Sequence, residues 1–311
     1  MYKVLVSAPY MHKEKGKVSQ MFNKYDFDLT WIAVEERLEE EDLLKVISEY
    51  DAIVCGDDKI TEKVIDAATK LKTIIKWGTG IDSINVEYAL TKNISVKRTL
   101  DAFTEPVADT TLAMMLADVR SLFKNDNIVK SGGWGKPQGY TLAEKTVGII
   151  GLGNTGRAVA KRLVAFGSKV LACDIMNVDE KDSSRLNVEI TSIDKIFSEC
   201  DIISIHCDLN DSSFHLLDED AFLKMTKKPF IINCARGPII NEKQLICAIE
   251  KGFIRGAGLD VFEEEPLSLV SPLRKMDNVI TSCHNSNSSP DKWDKVHLNS
   301  IKMLAKELGV E

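Results

Sequence analysis

Short apolar runs alternate with amphipathic stretches along most of this chain, and that rhythm predicts a parallel α/β architecture. Val4–Val6 and Phe27–Trp31 read as strands, Glu39–Tyr50 as a helix and Asp51–Cys55 as a strand. Thr61–Thr69 follows as a helix with Val64, Ile65 and Ala68 on one face, and Thr73–Lys76 as a strand running into Gly78–Thr79–Gly80. Strands separated by helices pair in parallel, because the crossover returns each strand in the same direction. Glu105–Val129 reads as one long, mostly apolar helix, with Pro106 in the first turn, where a missing N–H is harmless. Beyond the loop Gly132–Gly133–Trp134–Gly135, strands are expected at 146–150, 169–173, 202–206, 230–233, 257–261 and 279–282. Helices are expected at 193–198, 219–225 and 242–251. A last helix, from about Pro290 to Leu308, has no sheet of its own, so Val296, Ile301, Met303 and Leu304 must pack back, with the N-terminal region as the natural surface. No repeat, low-complexity tract or long linker interrupts the pattern.

The most informative stretch is Thr146–Gly156. An apolar strand breaks into Gly151-x-Gly153-x-x-Gly156, helical spacing runs from Arg157 to Phe166, and a second apolar strand ends at Asp174, roughly 20 residues on. Each part suits a dinucleotide. Gly151 permits the tight turn, Gly153 lets bare backbone approach a pyrophosphate, and Gly156 allows close helix–strand packing. The helix N-terminus offers N–H groups to phosphate, and Asp174 accepts from the adenosine ribose hydroxyls. Asp174 would repel a 2′-phosphate and Ile175–Met176–Asn177 supplies no Arg to receive one, so NAD is expected rather than NADP.

Composition narrows the function classes. The chain has 311 residues, enough for two domains, and is 44% hydrophobic and 28% charged, as a globular protein with adequate cores should be. Its net charge of −7 gives no electrostatic support to a nucleic-acid or membrane-surface partner. The segment Met1–Val6 reads as a strand rather than a signal peptide, and no apolar run approaches the ~18 residues of a membrane span. Cys55, Cys173, Cys200, Cys207, Cys234, Cys247 and Cys283 include no C-x-x-C pair, so buried thiols in a reducing cytoplasm are expected, and no metal.

Several ordered motifs now point to one family. Lys76–Asp82 (KWGTGID), Pro106–Ala113 (PVADTTLA), Thr146–Gly153 (TVGIIGLG), Phe230–Gly237 (FIINCARG) and Gly258–Pro266 (GLDVFEEEP), followed by His284, resemble the signatures of the D-isomer-specific 2-hydroxyacid dehydrogenases. The resemblance spans nearly the whole chain and looks closest to the phosphoglycerate dehydrogenase branch, without a C-terminal regulatory domain. It implies two Rossmann-like doubly wound α/β domains. Residues 1–100 and 286–311 would form the substrate domain, and 101–285 the inserted NAD-binding domain. It also implies a homodimer with the helix near 105–129 at the interface.

The same resemblance assigns roles. Arg236 would grip the substrate with its planar fork, His284 would be the acid/base, and Glu265 would hold the other ring nitrogen. Gly78, Thr79 and Gly80 would offer N–H groups to the substrate carboxylate, with Thr79 also near the cofactor. Asn154 and Thr155 would meet the pyrophosphate, Cys207, Cys234 and Ala235 would line the nicotinamide and adenine sides, and Asp260 would bond the carboxamide. The chain departs from the family pattern at Asp208, Arg98, Leu100–Asp101 and Ser282–Ser286, which bears on substrate more than on reaction. The implied activity is NAD-dependent interconversion of a small D-2-hydroxy acid and its 2-oxo acid. Candidates are 3-phosphoglycerate, hydroxypyruvate, glyoxylate and a sugar-derived acid. The alternative is an NAD(H)-sensing scaffold or corepressor-like protein with little turnover.

Overall fold

Short runs of two to five residues form the strands of two parallel sheets, seen in a computed structural model that describes residues 1–310. The chain divides into two compact units, one made of Met1–Phe103 and the C-terminal segment from Ser288, the other of Thr104–Asn287.

The first unit begins β1 (Tyr2–Val6), α1 (Pro9–Lys13), α2 (Lys15–Phe22), β2 (Phe27–Trp31), α3 (Glu40–Leu44), β3 (Ala52–Cys55) and α4 (Glu62–Ala67). It continues with β4 (Thr73–Lys76), α5 (Val86–Thr91) and β5 (Ser95–Arg98). The strand order is β2-β1-β3-β4-β5. Strands β3 and β4 are buried at every position, as expected of parallel strands covered on both faces. The expected helix 39–50 is interrupted: α3 ends at Leu44 and a separate 3₁₀ turn spans Ile47–Glu49, so that Leu43, Ile47 and Tyr50 all reach the core. Strand β5 gave no apolar signal beyond Val96. It forms because β4 needs an edge partner, and Ser95 Oγ donates to Thr73 Oγ1 across the pair at 2.8 Å.

The second unit opens with α6 (Thr104–Val119) and α7 (Leu122–Lys130), not with one helix. Ser121 between them is left-handed, with φ +49°. The carbonyls of Val119 and Arg120 accept from Tyr140 N–H and Asn125 Nδ2, so α6 ends where its core contacts end, and α7 buries no residue. Next come β6 (Thr146–Ile150), α8 (Asn154–Ala165), β7 (Lys169–Cys173), α9 (Glu180–Leu186), β8 (Glu189–Ile190), α10 (Ile193–Glu199) and β9 (Ile202–Ile205). The unit ends with α11 (Glu219–Leu223), β10 (Phe230–Asn233), α12 (Glu242–Glu250), β11 (Gly256–Leu259) and β12 (Val279–Thr281). The order β12-β11-β10-β9-β6-β7-β8 reverses direction between β6 and β9. Ligands of doubly wound sheets bind outside the strand ends at such a reversal.

The chain then returns to the first unit as α13 (Pro290–Glu307). Val296, His297, Ile301 and Leu304 are buried there against the sheet, and Met303 is half-buried.

Candidate active site

At the reversal, β6 runs into Gly151, whose φ of +92° is left-handed. A Cβ on Gly151 would lie 2.5 Å from Cys207 N, and one on Gly156 would lie 2.1 Å from Gly151 O, so the fold itself requires both glycines. Gly153 is different. Its φ is −71° and a Cβ would meet nothing within 4 Å, so its bareness serves whatever approaches from outside. No side chain caps α8 at Gly153. Beyond β7, Asp174 is tied to the same turn: Oδ2 accepts from Leu152 N–H at 2.6 Å and Oδ1 from Met176 N–H at 2.8 Å. These features fit a dinucleotide, with open backbone for the pyrophosphate and an anchored carboxylate for the ribose. Burial pushes the thiols of Cys207 and Cys234 up to about 11 and about 12, so both are neutral packing surfaces and not nucleophiles.

The residues expected to carry the reaction follow β10, β11 and β12. Fully buried Asn233 shapes the first turn, accepting from Ala235 N–H at 3.0 Å and donating to Arg236 O at 2.8 Å. The motif contained Asn233, but its role was not singled out; a polar residue closing an apolar strand is the signal. Arg236 is half-buried, and its Nη1 donates to Ala235 O at 3.0 Å. A Cβ on Gly237 would sit 1.8 Å from Phe262 O, so the backbones after β10 and β11 touch.

Glu265 accepts from Phe262 N–H through Oε1 at 2.9 Å and holds His284 Nδ1 through Oε2 at 2.8 Å. His284 itself is left-handed, with φ +50°, and donates its N–H to Asp260 O at 2.8 Å. Buried Asp260 then accepts from Asn285 N–H at 3.0 Å and Ser286 N–H at 3.1 Å. Asp260, expected to bond the carboxamide, anchors with its two oxygens the chain that follows His284. Two peptide bonds held in this way keep a non-glycine residue in a left-handed conformation that would otherwise be costly.

In the first unit, Gly78 (φ +120°) opens the loop predicted to bind substrate. Gly78 O accepts from Thr99 N–H at 3.0 Å, Thr79 O from Arg98 Nη1 at 2.8 Å, and Thr79 Oγ1 donates to Thr99 O at 3.1 Å. A trans peptide sets its N–H opposite its C=O, so the N–H groups of Thr79 and Gly80 point away from β5. Arg98, one of the departures from the family pattern, therefore braces this loop. Lys76 is buried and paired with Asp57 at 2.9 Å. Trp77 stacks on Tyr10 and donates from Nε1 to His297 Nδ1 of α13 at 2.9 Å.

Comparison with known proteins agrees with this geometry. Residues 112–286 match the family model described as D-isomer specific 2-hydroxyacid dehydrogenase, NAD binding domain. The chain belongs to the D-isomer-specific 2-hydroxyacid dehydrogenase family. It is 39% identical to a glyoxylate reductase of Thermofilum pendens, over 80% of this chain and 76% of that one. It is 35% identical to a hydroxypyruvate reductase of Thermotoga maritima, over 99% of both. Relatives named D-3-phosphoglycerate dehydrogenase also match, at 35% and 36%, but the chain spans only about half their length. Among solved structures, D-lactate dehydrogenase from Aquifex aeolicus, complexed with NAD and lactic acid, superposes with a TM-score of 0.88. That pair is 25% identical and covers 99% of this chain and 96% of the other. This dehydrogenase is thus an NAD-dependent oxidoreductase built of two Rossmann-like α/β domains. Among the described residues, no helix is long and apolar enough to cross a membrane.

Proposed function

We propose that this dehydrogenase reduces a small 2-oxo acid, with glyoxylate and hydroxypyruvate as the first candidates, and that Arg236, Glu265 and His284 carry the reaction. The expected lean toward phosphoglycerate gives way to these two because the relatives bearing their names match over most of their length. The single observation behind the assignment is the Glu265–His284 hydrogen bond of 2.8 Å, with Glu265 itself fixed by Phe262 N–H. A carboxylate on Nδ1 orients the ring, so proton exchange with the substrate oxygen runs through Nε2. NADH supplies the hydride when bound. Asn154, Thr155 and Asp174 hold the cofactor, Cys207, Cys234 and Ala235 wall it, and Thr79 is assigned to it as well. Arg236 bonds the substrate through its planar fork, and the N–H groups of the Gly78–Gly80 loop take the carboxylate. The enzyme works as a cytoplasmic homodimer. All seven cysteines are unpaired, and α7 leaves Leu122, Phe123 and Val129 more than half exposed for a second copy to cover.

NADH oxidation over glyoxylate, hydroxypyruvate, 3-phosphohydroxypyruvate and pyruvate tests this reading. Turnover should be highest on one of the first two, and His284→Ala should lower kcat by about 10²- to 10⁴-fold. Tight NADH binding without turnover on any 2-oxo acid would instead support the sensing role.

A further inference from the structure

We propose that His215 is a positioning residue, a clamp that holds the Arg236 turn and the Glu265 loop at one fixed spacing. The inference rests on the roles proposed above for Arg236, Glu265 and His284. The segment 215–217 runs beside the turn that follows Arg236. His215 N–H donates to Pro238 O at 2.8 Å, Leu217 N–H to Ile239 O at 3.1 Å, and Asn241 N–H to Leu217 O at 3.0 Å. His215 also has a left-handed backbone, with φ +50°, which turns its ring toward the loop after β11. There Nε2 lies 2.5 Å from Glu263 Oε1, while Nδ1 lies 3.3 Å from Asn241 Nδ2. The ring therefore bridges a residue just after the Arg236 turn to one two positions before Glu265.

The surrounding bonds assign its protonation. Asn241 caps α12, and its Oδ1 accepts from Gln244 N–H at 3.1 Å. The amide NH₂ must then face His215, so Nδ1 is the acceptor and Nε2–H donates to the Glu263 carboxylate. A proton on Nδ1 would point at the Asn241 donor, so the bonds select this tautomer. Phe214 stacks on the imidazole at 4.0 Å and 21°. Glu263 is held from its other side as well, its N–H donating to Glu242 Oε2 at 3.3 Å. The charged neighbours of the clamp are thus Glu242, Glu263 and the adjacent Glu264 and Glu265; burial and the three neighbouring carboxylates hold the Glu242 carboxyl above the usual range.

The two loops already touch where Gly237 meets Phe262 O, but a van der Waals contact sets only a minimum distance. The His215–Glu263 bond sets a maximum. Substrate held by Arg236 must meet a proton donor held by Glu265, and a misplacement of about 1 Å costs on the order of 100-fold in rate.

The test uses the full-length protein loaded with NAD(H). His215→Phe keeps the stacking and removes both ring bonds, His215→Gln restores a donor toward Glu263, and Glu263→Gln weakens the bond from the other side. His215→Phe should lower kcat about 30- to 100-fold, with the NADH dissociation constant changed less than twofold. It should also move the alkaline limb of the kcat/KM profile to lower pH, because His284 loses part of the carboxylate that favours its protonated form. His215→Gln should recover most of the rate and return the limb, and Glu263→Gln should fall between. NMR titration of the His284 ring in the same variants reads the clamp without turnover, with Glu265→Gln setting the full displacement. Activity lost only in proportion to folded protein, with limb and ring titration unmoved, would overturn the proposal, as would wild-type behaviour of His215→Phe. A wild-type protein without turnover defeats the proposed reaction but leaves the ring titration to decide the clamp. An unmoved ring in Glu265→Gln defeats the Glu265 role and the clamp with it.

Discussion

His206 shows how burial alone sets a residue's behaviour. It stands at the carboxyl end of β9, its ring Nε2 paired with Ser204 Oγ at 2.8 Å, and desolvation pushes its imidazole down to about 4. Below about pH 6.5 the unfolded chain takes up a proton that the folded chain refuses until about pH 4. Stability from this group is therefore complete above that window and lost as pH falls through it, by up to about 3 kcal/mol. Buried His297, also pushed down by desolvation, acts in the same direction. Thermal unfolding of wild type and His206→Gln at pH 7 and pH 5 should show a smaller acid loss in the variant. Arg236 depends on shape instead of burial. Lysine keeps the charge and loses the planar fork, so Arg236→Lys should lower kcat/KM by about 100-fold while leaving NADH binding intact. Steady-state kinetics beside NADH fluorescence would separate the two.

Glycines that look alike in a motif do different work once turns and strands are assembled. Gly153→Ala meets no protein atom, so its melting temperature should match wild type while NADH affinity falls at least about tenfold, through steric exclusion of the pyrophosphate. Gly237→Ala drives a Cβ into Phe262 O and should do the reverse. Unfolding free energy should fall by about 1–3 kcal/mol, and activity with it, as the loops after β10 and β11 are forced apart. Calorimetry and NADH titration on the pair would check both. The apolar pattern located strands β4 and β10 to the residue, because both are buried at every position and so are mostly apolar. It missed β5, α1, α2, α5 and α9, whose polar or short sequences are stabilised by neighbours they pack on. It also joined α6 to α7, since an apolar pattern does not show that the covering core stops at Val119.

At the scale of the assembled enzyme, α7 presents exposed apolar residues to solvent. Leu122, Phe123 and Val129 lie on a helix with no buried residue, and Trp134 beyond it is 81% exposed. If a second copy covers them, Phe123→Asp should shift the mass measured by light scattering from dimer toward monomer. An unchanged monomeric mass in both proteins would defeat the dimer. The return of α13 to the first unit gives the C-terminal helix a functional reach: His297 accepts from Trp77, the residue before the Gly78–Gly80 loop, and contacts Glu14 at 3.1 Å.

The local code was enough to predict the α/β class, the glycine turn and Asp174, which depend on residue type at short spacing, where backbone geometry and side-chain chemistry act directly. Arg236, Glu265 and His284 lie tens of positions apart and are named only through the family resemblance. Folding decided which partners those residues received. Asp260 became the anchor of the His284 turn, Arg98 the brace of the Gly78–Gly80 loop, and His215 a bridge between two loops. Such bonds join residues tens of positions apart, and a hydrogen bond depends on fractions of an ångström and on direction, which no pattern of residue types encodes.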